Sequence, residues 1–236
     1  MLGPMNPPSP FDRAWTSAAQ AGLGRPDTRP MADPMWSEQD PHVAWWAAAL
    51  SAEVVSFQLA LGQWTEEALP AMGELKQALR GLRKGAQARG PQWFRKATRW
   101  WRQSNLDLWR HTIESAKQAA WQRQNQTRHL MEACGHARQG LEEGRQRVEN
   151  WQAENPDTAD LASPWLMQTQ VQEASLMLLE QRTGLRWSQE KHLVTQLNQA
   201  SALVEMVRTT QGRAQETAWK QLSNELPTLD SLAPRE

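Results

Sequence analysis

The chain has 236 residues, with 26 basic and 26 acidic side chains, 14 tryptophans, three phenylalanines, one cysteine and no tyrosine. A single cysteine excludes an intramolecular disulfide framework, and zero net charge argues against a dedicated nucleic-acid binder, which carries a basic excess. Abundant Ala, Leu, Glu, Arg and 25 Gln, with few β-branched residues, speak against a sheet and for helices, because these side chains lose least on entering a helix.

Eight of the 14 prolines fall in the first 41 residues, mixed with Gly3, Gly22, Gly24 and five acids. Proline lacks the backbone donor and clashes with the preceding turn, so this stretch cannot sustain a long helix. Residues 1–40 are expected to form a flexible, Pro-rich arm, disordered or loosely docked. Phe11 to Ala21 is an optional short helix, and Phe11, Trp15 and Met31 are candidate anchors. Residues 1–10 contain neither the basic region nor the apolar run of a secretory signal, which with the lone Cys134 points to a cytoplasmic protein.

After the arm, prolines act as punctuation. Asp40-Pro41, Gly90-Pro91 and Ser163-Pro164 each set a capping residue before a proline at the first helical position, where its missing N–H costs nothing. Three helical segments are therefore expected, at about 41–86, 91–153 and 164–225. The predicted fold is all-α: an elongated antiparallel bundle of three long, partly interrupted helices over 41–226, with a tail at 227–236.

The apolar spacing agrees. Trp46, Leu50, Val54, Phe57, Leu61, Trp64 and Ala68 recur at steps of three and four until Pro70. The middle segment carries Leu106, Trp109, Ile113, Ala116 and Ala120, then Met131, Cys134, Ala137, Leu141, Val148 and Trp151. In the third, Leu193, Leu197, Ala200, Val204 and Val207 keep a heptad-like seam that fades into Gln211, Ala214 and Ala218. Gly135, Gly140, Gly144, Gly184 and Gly212 are the expected bends, since each costs a helix up to about 1 kcal/mol relative to Ala. An acidic corner with Glu154, Asp157 and Asp160 joins the second and third segments. The stretch 43–61 holds a single charge, Glu53. A carboxylate near its middle costs roughly 2.5–3.5 kcal/mol on insertion scales, so no transmembrane span is expected.

One region points outward. From Arg80 to Arg110 nine basic residues face one acid, Asp107, and Trp93, Phe94, Trp100, Trp101 and Trp109 are threaded among them. Arg95, Arg99 and Arg102 share a helical face by spacing. The candidate partner-binding set is Arg83, Lys84, Arg89, Trp93, Arg95, Lys96, Arg99, Trp100, Trp101 and Arg102. Two readings stay open for it. Guanidinium groups contact phosphates or anionic headgroups while tryptophans sit at a wet apolar edge, or the run is a solvated basic face neutralised by Glu53, Glu66, Glu67 and Glu74.

Catalytic chemistry finds no such cluster. His129, Glu132 and His136 fall at i, i+3 and i+7 beside Cys134, but without the His-Glu-x-x-His spacing of a zinc site, so surface histidines and a buried inert thiol are expected. No Walker or dinucleotide loop follows the glycines at 81, 85 and 90, and no Gly-x-Ser-x-Gly motif occurs. Neither an enzyme, a metal nor a cofactor is expected.

A Pro-rich arm followed by long Gln- and Ala-rich amphipathic helices, seen in stretches such as Asn105 to Gln126 and Leu141 to Gln152, resembles the plan of phasins, proteins that coat polyhydroxyalkanoate granules in bacteria. Helical adaptors and substrates of bacterial secretion machines share this plan, and the arm is compatible with a secretion leader. The leading expectation is a non-enzymatic structural or adaptor protein that self-associates or binds a protein partner through helix surfaces. A phasin-like coat on a hydrophobic or anionic surface is second, and a nucleic-acid-associated protein third.

Overall fold

A computed structural model describes residues 9–25, 44–45, 47–64 and 99–232, with the side chains of 99–105, 223 and 225–232 outside the description. The described residues are helical except for Ser9, Asn155 and the short stretches 21–25 and 210–212, and contain no strand. Five α-helices follow among the described residues: α1 (Pro10–Gln20), α2 (44–45 and 47–64), α3 (Arg99–Glu154), α4 (Ser163–Thr209) and α5 (Arg213–Leu232). A short 3₁₀ helix, Pro156–Ala162, occupies the expected acidic corner between the two long helices α3 and α4. None of the described helices is long and apolar enough to cross a membrane.

Within the expected arm, α1 is a well-specified helix. Ser9 caps it, its Oγ accepting from the Asp12 N–H at 3.1 Å, while Pro10 opens the first turn and Asp12 suits the positive end of the helix dipole. Gly22, at φ +89°, ends it: the Leu23 and Gly22 amides return to the Ala18 and Ala19 carbonyls, the pattern of a Schellman motif. Phe11, Ala14, Trp15 and Ala18 form its buried face.

Of the expected helix starts, Pro41 and Pro91 lie outside the described residues, and Pro164 sits one residue into α4. The expected bends need correction. Helix α3 runs unbroken through Gly135, Gly140 and Gly144, and α4 through Gly184. Only Gly212, at φ +63°, parts two helices, α4 from α5. The propensity cost of a mid-helix glycine is about 1 kcal/mol, which packing along a long helix outweighs. Gly140 is required by its neighbour: a Cβ there would lie 2.6 Å from two ring carbons of Phe11.

The chain divides into two compact units, residues 1–65 with 126–184, and 66–125 with 185–236, so α3 and α4 contribute to both. In the first unit the buried residues include Phe11 and Trp15 of α1, Leu50, Val54, Phe57 and Leu61 of α2, Leu130, Cys134, Leu141 and Val148 of α3, and Trp165 and Leu176 of α4. Trp15 meets Phe57 edge-on at 5.6 Å, and Trp165 donates its indole N–H to the Ala47 carbonyl and Ser51 Oγ. The second unit buries a single continuous cluster of Leu106, Trp109, Ile113, Ala116 and Ala120 against Leu193, Leu197, Ala200, Val204 and Val207, closed by Ala218, Trp219 and Leu222 of α5. Trp109 and Trp219 stack there at 5.1 Å.

Candidate functional site

The basic, aromatic set falls largely beyond reach. Arg83, Lys84, Arg89, Trp93, Arg95 and Lys96 lie outside the described residues, and Arg99, Trp100, Trp101 and Arg102 are described only as backbone in the first turn of α3. Of the acids expected to neutralise this segment, Glu66, Glu67 and Glu74 also lie outside the description. Glu53 is described, and it is engaged elsewhere: it accepts from the Trp15 indole at 2.8 Å and pairs with Arg25.

The histidine–cysteine run of α3 holds no ligand set. His129 Nδ1 and Glu132 Oε2 are 3.3 Å apart on an exposed turn, with Arg128 also near Glu132 at 3.8 Å. Cys134 faces the opposite way, fully buried, and burial, with the Glu180 carboxylate nearby, pushes its thiol up to about 12. Such a thiol carries almost no thiolate at neutral pH and is a poor nucleophile. Among the described residues no group of three His, Cys, Asp or Glu side chains is placed to hold a metal.

A cleft of about 310 Å³ lies in the first unit between α1, α2 and α3, lined in part by Phe11, Arg25, Glu53, Gly140, Glu143 and Arg147. Its mixed charges are spent on the fold. Arg25 bridges Glu53 of α2 and Asp12 of α1, the latter at 3.5 Å, and so ties the first helix down. The one hydroxyl and carboxylate paired among its lining residues, Ser9 Oγ donating to Asp12 at 2.7 Å, belong to the cap of α1, where Ser9 also accepts from the Asp12 N–H.

Two charge arrangements were not foreseen in the sequence. In the second unit Glu190, only 1% exposed, accepts from Arg123 at 3.1 Å and lies 3.3 Å from Arg186. Burial, joined by Arg186 and opposed by Glu190, lowers the Arg123 guanidinium from its ordinary value. The residue types that alternate along these helix faces give no hint that three of them meet inside.

The other arrangement is a face without charge in the first unit. Between residues 161 and 181 the only ionisable side chains are Glu173 and Glu180. Both reach α3: Glu180 pairs with Arg138 at 2.7 Å, and Glu173 stands 3.9 Å from Arg145. The pairs descend α4 as they climb α3, so the two helices run in opposite directions here. The solvent side of this half of α4 is left to Met167, Val171, Ala174 and Leu178, at steps of four, three and four. Met167 and Val171 are 70% and 71% exposed. The side turned inward is the more polar one: Trp165, Thr169, Gln172, Leu176 and Thr183. Thr169 and Thr183 satisfy their hydroxyls on carbonyls of their own helix, and Gln172 Oε1 has no hydrogen-bond partner. Helix α2 behaves alike, with Trp45, Val55 and Leu59 exposed and its one charge, Glu53, drawn toward α1.

Comparison of the whole chain with protein-family models, curated proteins and solved structures returns no significant match.

Proposed function

We propose that this protein is a non-enzymatic structural or adaptor component of a macromolecular assembly, an antiparallel helical bundle of the cytoplasm that works through the outer faces of its helices. The observation that supports this most is the uncharged, apolar solvent side of α2 and α4 in the first unit. A side chain such as Met167 or Val171 gains roughly 1.5–3 kcal/mol when fully removed from water, so a row of them left outside favours contact with another apolar surface. The rest of the first unit supports the same reading, because α3 presents Arg128, Glu132, Glu142 and Glu149, a charged side suited to solvent.

A second reading, a phasin-like coat, draws on Trp45, which is 53% exposed beside Val55 and Leu59. Tryptophan favours the wet edge of an apolar layer. The two part on one experiment. Tagged full-length chain is recovered from its native cell without detergent, and the adaptor reading expects a stoichiometric protein partner or a second copy in the complex. Recovery as a monomer with no protein at all would overturn it, and flotation of that monomer with polymer beads or lipid vesicles would leave the coat.

A further inference from the structure

We infer that the solvent side of α4 over Met167, Val171, Ala174 and Leu178 is a self-association seam, which takes the same seam of a second copy of this chain. The inference rests on the reading that the protein works by joining an assembly, and it names the partner at one face. Three observations carry it together.

The first is inversion. A helix normally buries its more apolar stripe, yet here Thr169, Gln172 and Thr183 lie inside while Met167 and Val171 lie out. Turning α4 to hide them would expose Trp165, whose indole is hydrogen-bonded to α2. Among the described residues the outward stripe therefore takes no part in the core.

The second is width. Steps of four, three and four match the 3.5-residue repeat that meshes with another helix, and at 100° per residue the four side chains fill an arc of roughly 60°. Gln170 and Gln181 bound it on one side, Ser175 and Gln168 on the other, with Met177 beyond the first pair and exposed Arg182 one turn past Leu178 on the second side. A lipid or polymer surface is matched by a broad apolar arc with basic residues on the polar face. A narrow seam is matched by a helix.

The third is charge. A two-fold contact sets each flank against a flank of the same sequence, so charged flanks of one sign would repel. These flanks are Gln and Ser, and the two acids of this stretch are committed to Arg138 and Arg145. Apart from Arg182, one turn beyond Leu178, a charged partner would find no counter-charge on this face, whereas a second copy laid antiparallel sets the neutral amides of the seam against one another.

Sedimentation of the purified full-length chain across a wide concentration range tests this, with a double variant Met167→Glu, Val171→Glu in parallel. The native chain is expected at twice the mass of one chain, and the variant at the single-chain mass, a twofold drop, with an unchanged helical circular-dichroism spectrum because both side chains face water. A second variant removes any doubt about folding: Ala174→Cys is expected to give a covalent dimer with a short bis-maleimide, and the buried Cys134 makes the native chain a silent control. A native chain that stays monomeric throughout, a dimer that survives both glutamates, or an Ala174→Cys chain that does not cross-link would each overturn the seam. Vesicle or bead binding by a monomeric native chain, lost in the glutamate variant, would give the face to a surface and likewise overturn it. Monomeric recombinant chain with a foreign protein partner in the native-cell recovery would sink the seam and spare the adaptor reading.

Discussion

The two units differ in where they place charge, since the second adds a buried cluster to surface pairs such as Glu205 with Arg208. The first keeps its ion pairs at the perimeter: Arg138 and Glu180 are 42% and 30% exposed, and Arg25, Glu53 and Asp12 fasten α1 from outside. The second draws Arg123, Glu190 and Arg186 inside, beneath a regular seam of Leu, Val and Ala. The difference has a consequence for function. Peripheral pairs that lean inward along α3 strip charge from the outer face of α4, leaving that face fit for a partner. A buried triad contributes nothing to the surface, and its role is to fix which residues of α3 and α4 stand opposite one another, since a shifted register would leave a charge inside without its counterpart.

Breaking the triad gives the largest expected effect. Glu190→Ala removes the buried carboxylate that Arg123 and Arg186 share, a loss of about 3–5 kcal/mol. The matching change in the first unit, Glu180→Ala, breaks an exposed pair and is expected to cost about 1 kcal/mol or less. Urea unfolding followed by circular dichroism measures both. Replacing all three, Arg123→Met, Arg186→Met and Glu190→Leu, is expected to restore most of the stability, because apolar side chains of similar volume avoid the desolvation of the charges. Equal losses for Glu190→Ala and Glu180→Ala would erase the contrast between the units.

Next comes the docking of α1 in the first unit. Gly140→Ala puts a methyl group 2.6 Å from the Phe11 ring, and an aromatic ring capped between helices has little room to retreat. Overpacking of this kind costs roughly 1–3 kcal/mol. Tryptic cleavage at Arg13 is expected to speed up as α1 loosens. Adding Phe11→Leu should slow it again, and failure of that rescue would place the strain elsewhere.

Much of this architecture was legible in the sequence. The seam from Leu193 to Val207 and that from Leu106 to Ala120 were read from spacing, and they meet in one cluster, because apolar residues at steps of three and four must share a side of a helix. Gly212 marked a true end, since its positive φ suits glycine alone. Gly140 misled, because a glycine that weakens a lone helix is also the residue that admits a neighbour's ring, and only the neighbour decides between the two. The candidate seam of α4 was hidden for a related reason. Spacing announces that Met167, Val171, Ala174 and Leu178 share a side, but the parallel row Trp165, Thr169, Gln172 and Leu176 competes for the interior, and the choice was made by one indole finding Ala47 and Ser51 across 114–118 residues of sequence. The buried triad needed three such long-range facts at once. The basic, aromatic segment was legible as composition alone, and its placement lies outside the described residues.

The smallest expected effect belongs to Cys134, and it separates the units by pH. Its ordinary value is 9.0 and burial raises it to about 12 in the folded chain. Between these values the unfolded chain has lost a proton that the folded one keeps. Stability from this group is therefore full below pH 9 and falls as pH rises through the window toward 12. Cys134→Ala removes that slope, at a fixed cost for a small hydrophobe's lost packing. The difference between native and variant melting curves at successive pH values is expected to narrow above pH 9. The second unit, which contains no cysteine, should show the same alkaline response in both chains. A difference that stays constant from pH 8 to 11 would mean that the thiol reaches water, and the first unit would then open far more readily than its packing implies.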